Sequence, residues 1–419
     1  MADVLTDRSV ELMKDDKNDS ARDRALSRDA HTLWSTAGKA VKTVGIMSAF
    51  KTLRNMVGDA FIPPDKLQYV RSLGEGAYAT VELANYDCGN GKYLPVAVKR
   101  LKPEVFENQA DLQCFLDETK LLQKLRHSCV VDFLGMGIVD KEQISKGDVT
   151  EEMRNKVYLV QEYMNRGTLK ELVLQQMGTV RQRLFTGAQA LEWMLDVAKG
   201  LRYLHTAKPK VIHRDLKLEN ILLKEEESGL VVAKLADFGL HALVDGYQKP
   251  VPASPDAEAS KRMMEVLSRN QSIDVSQTAK QEYVQAAYDL SGRTGSLMYM
   301  APEVLREEEY NESCDIFSLG VIMYEVFQRS IMLVFVSCTG NPNEVEEYAQ
   351  SVSNGARPCI PECWPERLSL LVKRCWSGVK EKRPTANEVV RELELIKAAG
   401  DFGLGDGDFA QGCSCCTVQ

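Results

Sequence analysis

The spacing of hydrophobic residues changes character near residue 165 of the chain. Between residues 67 and 101, the short apolar runs LQYVRSLGEG, TVELANY and LPVAVKRL predict three β-strands. The turn sequence CGNG at residues 88–91 predicts a hairpin between the last two strands. Residues 111–126 place apolar side chains at helical spacing, and VVDFLGMGIV and KVYLVQEYM predict two further strands. We therefore expect a small, sheet-rich region of five strands and one helix.

The pattern after residue 165 is mostly helical as far as residue 398. A polar stretch rich in Ser and Ala interrupts it at about residues 246–290. This order of elements predicts an α+β fold with a sheet-rich part over residues 67–164 and a larger, mainly helical part over residues 165–398.

Both flanks of this domain differ from it in composition. Residues 1–38 are polar and charged, which predicts a disordered arm. Residues 39–66 predict a basic amphipathic helix followed by a linker. The apolar stripe of this helix comprises Ile46, Phe50, Leu53 and Val57. The helix either packs on the domain that follows or lies on a membrane surface. Residues 399–419 are Gly-rich and acidic and predict a flexible tail.

The overall composition excludes several classes of protein. The hydrophobic fraction of 44% and the charged fraction of 27% are typical of a soluble globular protein. The net charge of -8 argues against nucleic acid as a partner. No apolar run approaches the roughly 20 residues of a membrane-spanning helix. The 11 cysteines lack paired CxxC spacing, so we expect a reducing cytosolic environment without structural disulfides or zinc.

Polar residues are concentrated between two apolar runs in VIHRDLKLENILL, residues 211–223. This segment is either a solvated turn between two strands or a rigid platform that holds a base and a metal ligand. Gly74 and Gly76 in LGEGAYATV form either a plain hairpin turn or a loop whose backbone N–H groups could close over phosphates. Lys99 stands within an apolar strand, and Glu118 faces apolar neighbours on the predicted helix.

Taken together and in this order, the Gly-rich loop, PVAVKRL, HRDLKLEN, LADFGL and MAPEV resemble the motifs of eukaryotic protein kinases. The resemblance covers residues 67–398 and implies a bilobal kinase fold, with a small antiparallel-sheet N lobe and a helical C lobe. It implies that Asp215 accepts the proton of the substrate hydroxyl and that Lys217 neutralises the transferred phosphoryl group. Asn220 and Asp237 are implied Mg²⁺ ligands.

The resemblance also implies an ATP site. Lys99 and Glu118 would form the ion pair that holds the α- and β-phosphates. The residues implied to surround ATP are Leu73, Gly74, Gly76, Val81, Ala97, Lys99, Glu162, Met164 and Leu222. Glu162 to Met164 would present their backbone to the adenine, next to Gln161 at the gatekeeper position. One position departs from the family pattern, because Ala79 replaces the third glycine of the loop.

Two structural ties follow from the same resemblance. Glu303 would pair with Arg383, and Asp315 would support the backbone of the catalytic loop. Both would hold the loop rigid, which matters because positioning and electrostatics supply most of the catalysis in phosphoryl transfer.

The acceptor residue is predicted from Lys217 and from Ser296, which are typical of Ser/Thr kinases. FLDETKLLQKLRH and RCWSGVKEKRPT resemble tyrosine kinases, so the mixture resembles the tyrosine-kinase-like group of Ser/Thr kinases. A tyrosine or dual-specificity kinase and a nucleotide-binding pseudokinase scaffold are the alternatives. Arg214 suggests activation by loop phosphorylation, for which Ser291 and Thr294 are candidates or else ordinary loop residues.

The sequence ends in QGCSCCTVQ, and its last four residues, Cys416 to Gln419, fit a prenylation box. A single lipid anchors weakly, and palmitoylation of Cys413 and Cys415 would supply a second attachment. The alternative is an unmodified or metal-binding cysteine cluster. We therefore expect protein substrates and ATP as partners, and attachment to the cytoplasmic face of a lipid membrane with a partly cytosolic pool.

Overall fold

A computed structural model describes residues 60–76, 79–102, 105, 109–137, 157–179, 182–244, 296–336 and 342–400. The predicted arm, most of the N-terminal helix and linker, the insertion in the activation segment and nearly all of the tail lie outside these residues. By their internal contacts the residues divide into two compact units. The first contains residues up to Leu94, Val98–Leu116 and Gly135–Val160, and the second contains the rest.

A five-stranded sheet and one helix occupy residues 67–162, as the sequence predicts. The strands are β1 (Leu67–Glu75), β2 (Ala79–Gly89), β3 (Lys92–Leu101), β4 (Phe133–Gly137) and β5 (Tyr158–Glu162). Their order in the sheet is β1-β2-β3-β5-β4. The helix α1 (Gln109–Lys124) begins and ends two residues earlier than predicted. The predicted hairpin is confirmed, since Gly89, Asn90 and Gly91 have φ values of 83°, 54° and 71°.

An unpredicted feature is that the chain before β1 runs along the outer edge of β4. Phe61 lies opposite Met136 in a short parallel bridge, and the Ile62 N–H donates to the Met136 carbonyl at 3.0 Å. The hydroxyl of the fully buried Tyr158 donates to the Ile62 carbonyl at 2.8 Å. Gly137 leaves the space that the Tyr158 ring fills, because a Cβ at this position would overlap the ring. The edge of the sheet is thereby covered by residues 60–62.

The second unit is mainly helical. Its helices are α2 (Leu169–Gly178), α3 (Gly187–Thr206), α4 (Pro302–Leu305), α5 (Ser313–Gln328), α6 (Met332–Val336), α7 (Pro342–Ser353), α8 (Glu366–Cys375) and α9 (Ala386–Ala399). Its remaining strands form two antiparallel pairs, β6 (Lys210–Ile212) with β9 (Ala242–Val244) and β7 (Ile221–Glu225) with β8 (Val231–Leu235). Along the described ranges, none of the helices is long and apolar enough to span a membrane.

Local sequence explains where the main helices begin. Helices α2, α3 and α9 start in capping boxes formed by Thr168, Thr186 and Thr385. In each box the Thr hydroxyl oxygen accepts the backbone N–H of the residue three positions later. The Thr backbone N–H in turn donates to the Glu or Gln side chain of that residue. Helix α5 is buried from Cys314 to Phe327 and is mostly apolar on all sides, with Asp315, Ser318 and Glu325 as its buried polar residues. A helix with this pattern forms the centre of a core, and α5 can therefore support residues from several sides.

Candidate active site

The loop between β6 and β7 contains the predicted catalytic residues, and Asp315 of α5 fixes its backbone. The N–H groups of His213 and Arg214 donate to the two carboxylate oxygens of Asp315, each at 2.9 Å. His205 of α3 donates to the same carboxylate from Nε2 at 2.8 Å. Arg214 has a φ of 68°, an unfavourable angle for a residue with a side chain, and these bonds hold it there. The predicted support of the loop by Asp315 is confirmed.

Asp315 keeps its charge although it is almost completely buried. Burial by itself favours the neutral acid, but the hydrogen bond from His205 and the nearby imidazoles lower the pKa of Asp315 below its usual value. An ionised carboxylate accepts hydrogen bonds more strongly than a neutral acid. Asp315 therefore remains an acceptor for the loop N–H groups at neutral pH. The sequence resemblance pointed to Asp315 but gave no signal for His205.

The side chain of Asp215 is bonded on both oxygens. Lys217 Nζ donates to Oδ2 at 2.6 Å, and the amide of Asn220 donates to the same oxygen at 3.2 Å. Oδ1 accepts the backbone N–H of Ser296 at 3.1 Å and its hydroxyl at 3.2 Å. Lys217 also donates to the Ser296 hydroxyl at 3.1 Å. The fold thus gathers Lys217, Asn220 and Ser296 around the carboxylate of Asp215.

Asn220 and Asp237 supply oxygen atoms of the kind that Mg²⁺ prefers. The amide nitrogen of Asn220 donates to the Asp215 carbonyl at 2.8 Å, so its amide oxygen is the end left to meet a cation. The Ala236 N–H donates to the Asn220 carbonyl at 2.9 Å, which brings the following residue, Asp237, beside the loop.

Within the described ranges, no group of three or more His, Cys, Asp or Glu side chains could hold a metal by itself. Mg²⁺ is usually bound by one or two carboxylates together with substrate phosphates, so a site of Asn220 and Asp237 fits that ion.

An apolar surface lies near Asn220 and Asp237 in the second unit. Val131, Met164 and Ala236 form a buried cluster, and Leu222 packs against it. Met164 and Leu222 were predicted to contact adenine, whereas Val131 and Ala236 were not among the predicted residues. The place of Ala236 could have been anticipated, because it directly precedes the predicted metal ligand Asp237 in the chain.

The other predicted nucleotide residues lie at the sheet. Leu73 and Gly74 are on β1, Val81 is on β2, and Ala97 and Lys99 are on β3. Gly76 donates its N–H to the carbonyl of Ala79 at 2.8 Å. Glu118 is buried in α1, and its carboxylate lies 4.0 Å from the position a Cβ on Gly239 would take. The pairing of Lys99 with Glu118 stays a prediction.

The predicted pair of Glu303 and Arg383 is confirmed. Two parallel bonds join them, from Nη1 to Oε1 at 2.6 Å and from Nη2 to Oε2 at 2.7 Å. Their side chains are 3% and 0% exposed, so the pair is shielded from water. Glu303 belongs to α4, the short helix that follows the Ser296 segment, and the pair fixes its position.

The remaining predicted sites cannot be placed. The candidate phosphorylation sites Ser291 and Thr294, and the candidate lipidation sites Cys413, Cys415 and Cys416, lie outside the described residues.

Residues 67–393 match the family described as protein kinase domain. The serine/threonine-protein kinase VIK of Arabidopsis thaliana is 30% identical over 80% of this chain and 62% of its own length. The serine/threonine-protein kinase 12 of the same organism is 30% identical over 83% of this chain and 60% of its own length. Mitogen-activated protein kinase kinase kinase 7 of Homo sapiens is 27% identical over 76% of this chain and 40% of its own length. The chain thus spans less than two thirds of the length of these relatives. Because the family match covers most of the chain and includes every motif described above, the chain belongs to the eukaryotic protein kinase family.

Proposed function

We propose that the chain is a Mg-ATP-dependent serine/threonine protein kinase that transfers the γ-phosphate of ATP to hydroxyl groups of protein substrates. The observation that carries this proposal is the contact of Lys217 and Ser296 with the two oxygens of Asp215. The printed names of the relatives, which describe serine/threonine kinases, support it. The intact set of Lys99, Asp215, Asn220 and Asp237 argues against the pseudokinase alternative.

The residues of the loop would act on the substrate hydroxyl. Asp215 would accept its proton as the oxygen attacks the γ-phosphorus and the bond to the β-phosphate oxygen breaks, releasing ADP. Lys217 would stabilise the negative charge of the transferred group, because its ammonium lies beside the same carboxylate. A bound Mg²⁺, held by Asn220 and Asp237, would neutralise charge on the phosphates. Asp315 keeps the loop in the geometry that these roles require.

The test is transfer of labelled γ-phosphate from Mg-ATP to generic protein substrates, followed by phosphoamino-acid analysis. Asp215→Asn is the control, since it removes the proton acceptor with little change in shape. Phosphoserine or phosphothreonine that disappears in Asp215→Asn would support the proposal. Phosphotyrosine would show that Lys217 and Ser296 do not set the acceptor, and the same product level in both proteins would contradict the role of Asp215.

Phosphorylation of the activation segment is a further part of the proposal. Arg214 lines the surface beside Asp215 and Ser296, where a phosphate on the preceding segment could pair with its guanidinium. We expect the double variant Ser291→Ala/Thr294→Ala to be less active than the wild type. Full activity in that variant, with the wild type shown by mass spectrometry to be phosphorylated there, would remove this part.

We further propose that the protein is held at the cytoplasmic face of a membrane by lipids on Cys416, Cys413 and Cys415. This rests on the residue pattern alone. Cys416→Ser should move the protein into the soluble fraction, and mass spectrometry of the C-terminal peptide should detect the lipid. Cys363→Ser, which replaces an exposed cysteine elsewhere, is the matched control. Unchanged membrane association of Cys416→Ser would contradict the anchor.

A further inference from the structure

A buried cluster of charged side chains surrounds Glu162, the last residue of β5. Its Oε1 accepts Lys234 Nζ at 2.5 Å and the backbone N–H of Asp132 at 2.8 Å. Its Oε2 accepts Lys224 Nζ at 2.9 Å. The Glu162 N–H in turn donates to the Asp132 carbonyl at 3.0 Å. The kinase resemblance implied a role for the Glu162 backbone only, and these bonds give its side chain a structural role as well.

This cluster differs from ordinary surface ion pairs because its central pair is buried. Glu162 and Lys234 are only 9% and 7% exposed. Burial tends to raise the pKa of Glu162, but the bonds from Lys234, Asp132 and Lys224 outweigh it and lower that pKa. Glu162 is therefore an anion held by two ammonium groups. Buried charges in such a site are strongly constrained in position, since moving one away leaves the other unpaired.

The three strands of the cluster lead to different parts of the active site. Glu162 stands two residues before Met164, which belongs to the apolar surface with Leu222. Lys234 is on β8, three residues before Asp237. Lys224 is on β7, which begins directly after Asn220. One side chain thus connects the segment predicted to contact adenine with the strand that follows Asn220 and the strand that precedes Asp237, the two predicted metal ligands.

The backbone of the same segment is bonded to β7 at two further points. Arg166 donates its N–H to the Leu223 carbonyl at 3.0 Å, and the Leu223 N–H donates to the Gly167 carbonyl at 2.9 Å. These bonds hold the end of the segment, whereas the Glu162 side chain holds its beginning. Loss of the Glu162 contacts would release the beginning of the segment and leave its end bonded to β7.

We propose that Glu162 is a positioning residue for the nucleotide. Through its bonds to Lys234 and Lys224, it fixes the position of the segment predicted to contact adenine relative to Asp237 and Asn220. The expected effect on catalysis rests on the proposed kinase function. The expected effect on nucleotide binding can be measured whether or not the protein phosphorylates a substrate. Release of Glu162 should weaken the binding of a nucleotide that must reach both places at once. It should affect the chemical step much less, because Asp315 independently holds His213 and Arg214 of the loop that contains Asp215 and Lys217.

Glu162→Gln tests this with little change in shape. We expect KM for ATP and the Kd for Mg-ADP to rise about tenfold, the factor for loss of one hydrogen bond between charged groups, with kcat within about twofold. Lys234→Met should shift both constants in the same direction. The double variant should be no worse than the weaker-binding single variant, because both changes remove the same interaction.

The matched control is Glu225→Gln, which neutralises the exposed pair of Glu225 and Arg166 on the same segment. Its side chains are 37% and 54% exposed, and we expect nucleotide affinity to change by less than about twofold. Lys224→Met is a milder variant if Glu162→Gln fails to fold, since it leaves the buried bond to Lys234 intact; it should produce a smaller loss of affinity.

Titration of Mg-ADP by calorimetry keeps this test separate from the proposed activity, since it reads binding even if no substrate is phosphorylated. An unchanged Kd in Glu162→Gln or in the fallback variant would overturn the inference. So would a kcat above that of the wild type, which would mean that the cluster restrains the enzyme. Losses that simply multiply in the double variant would also overturn it, because the two residues would then act independently.

Discussion

Arg383→Met removes one partner of the buried pair with Glu303 and leaves a carboxylate without its counter-ion. Methionine has a similar length and fills most of the space of the arginine side chain. The change therefore tests charge and hydrogen bonding more than packing. Arg383 also donates from Nε to the Ser377 carbonyl at 2.8 Å and from Nη1 to the Ser313 carbonyl at 3.1 Å. Its guanidinium lies 5.1 Å from the centre of the Phe317 ring.

The size of the effect follows from burial. Removing one partner of a buried ion pair destabilises a protein by about 3–5 kcal/mol, since the remaining charge is left desolvated. The side chains of Arg383 and Glu303 are 0% and 3% exposed, and two backbone carbonyls also lose a donor, so the upper part of this range applies. A loss of that size is a large fraction of the roughly 5–15 kcal/mol by which a domain is stable.

The assay is urea unfolding at pH 7, and the chain offers a matched control. Arg306 also pairs with Glu308 through two bonds, from Nε to Oε1 at 2.7 Å and from Nη2 to Oε2 at 2.9 Å, but the side chains are 41% and 51% exposed. Arg306→Met should cost about 0–1 kcal/mol. Equal losses in Arg383→Met and Arg306→Met would refute the reasoning from burial. Glu303→Leu/Arg383→Met should recover much of the stability, because no unpaired charge remains.

Three further changes test other parts of the structure. Asp315→Asn places an amide donor opposite the loop N–H groups, so kcat should fall on the order of 100-fold in steady-state assays; an unchanged kcat would contradict its role. Burial raises the pKa of Glu325 from 4.5 to about 7, so its stabilising effect is complete below pH 4.5 and is lost as the pH rises through 7. Glu325→Gln should therefore remove roughly 3 kcal/mol of pH dependence between pH 5 and 8 in urea unfolding; the same pH dependence in the variant would argue against a buried neutral acid. Gly137→Ala would overlap the Tyr158 ring and should destabilise by about 1–3 kcal/mol, whereas Gly178→Ala, with open space around it, should not; thermal unfolding of both variants would show whether they differ.

Much of the fold could be predicted because its signals are local. The CGNG turn, the alternating strands and the apolar α5 each depend on residues close together in the chain. The boundaries of α1 were two residues off at each end, because apolar spacing does not mark the first and last turns of a helix. The crossing of residues 60–62 over β4 was not predicted. It joins Ile62 to Met136 and Tyr158, both of which are far from Ile62 in sequence. The periodic spacing of apolar residues does not predict such contacts.

The residues of the catalytic loop could be predicted from the sequence, whereas only some of the residues that support the loop could. Asp215, Lys217 and Asn220 lie within six residues, so their motif is visible in the sequence and the loop geometry follows from it. The supporting residues are remote, since Asp315 lies about a hundred positions from the N–H groups that it accepts. His205 carries no motif at all, and only the folded chain shows that it contacts Asp315.

Lys234 shows that a lysine in an apolar strand predicts a buried carboxylate partner even before a structure is known. Lys234 stands in VVAKLADFG, where burial of an unpaired ammonium would be very unfavourable, so the sequence requires a carboxylate nearby without identifying it. The partner, Glu162, is 72 residues away in the chain, so no local sequence pattern identifies it. The same reasoning applies to Lys99 in LPVAVKRL, for which Glu118 was named only because the family motif supplied it. Physical chemistry predicts that such lysines are paired, and the fold determines which parts of the active site each pairing joins.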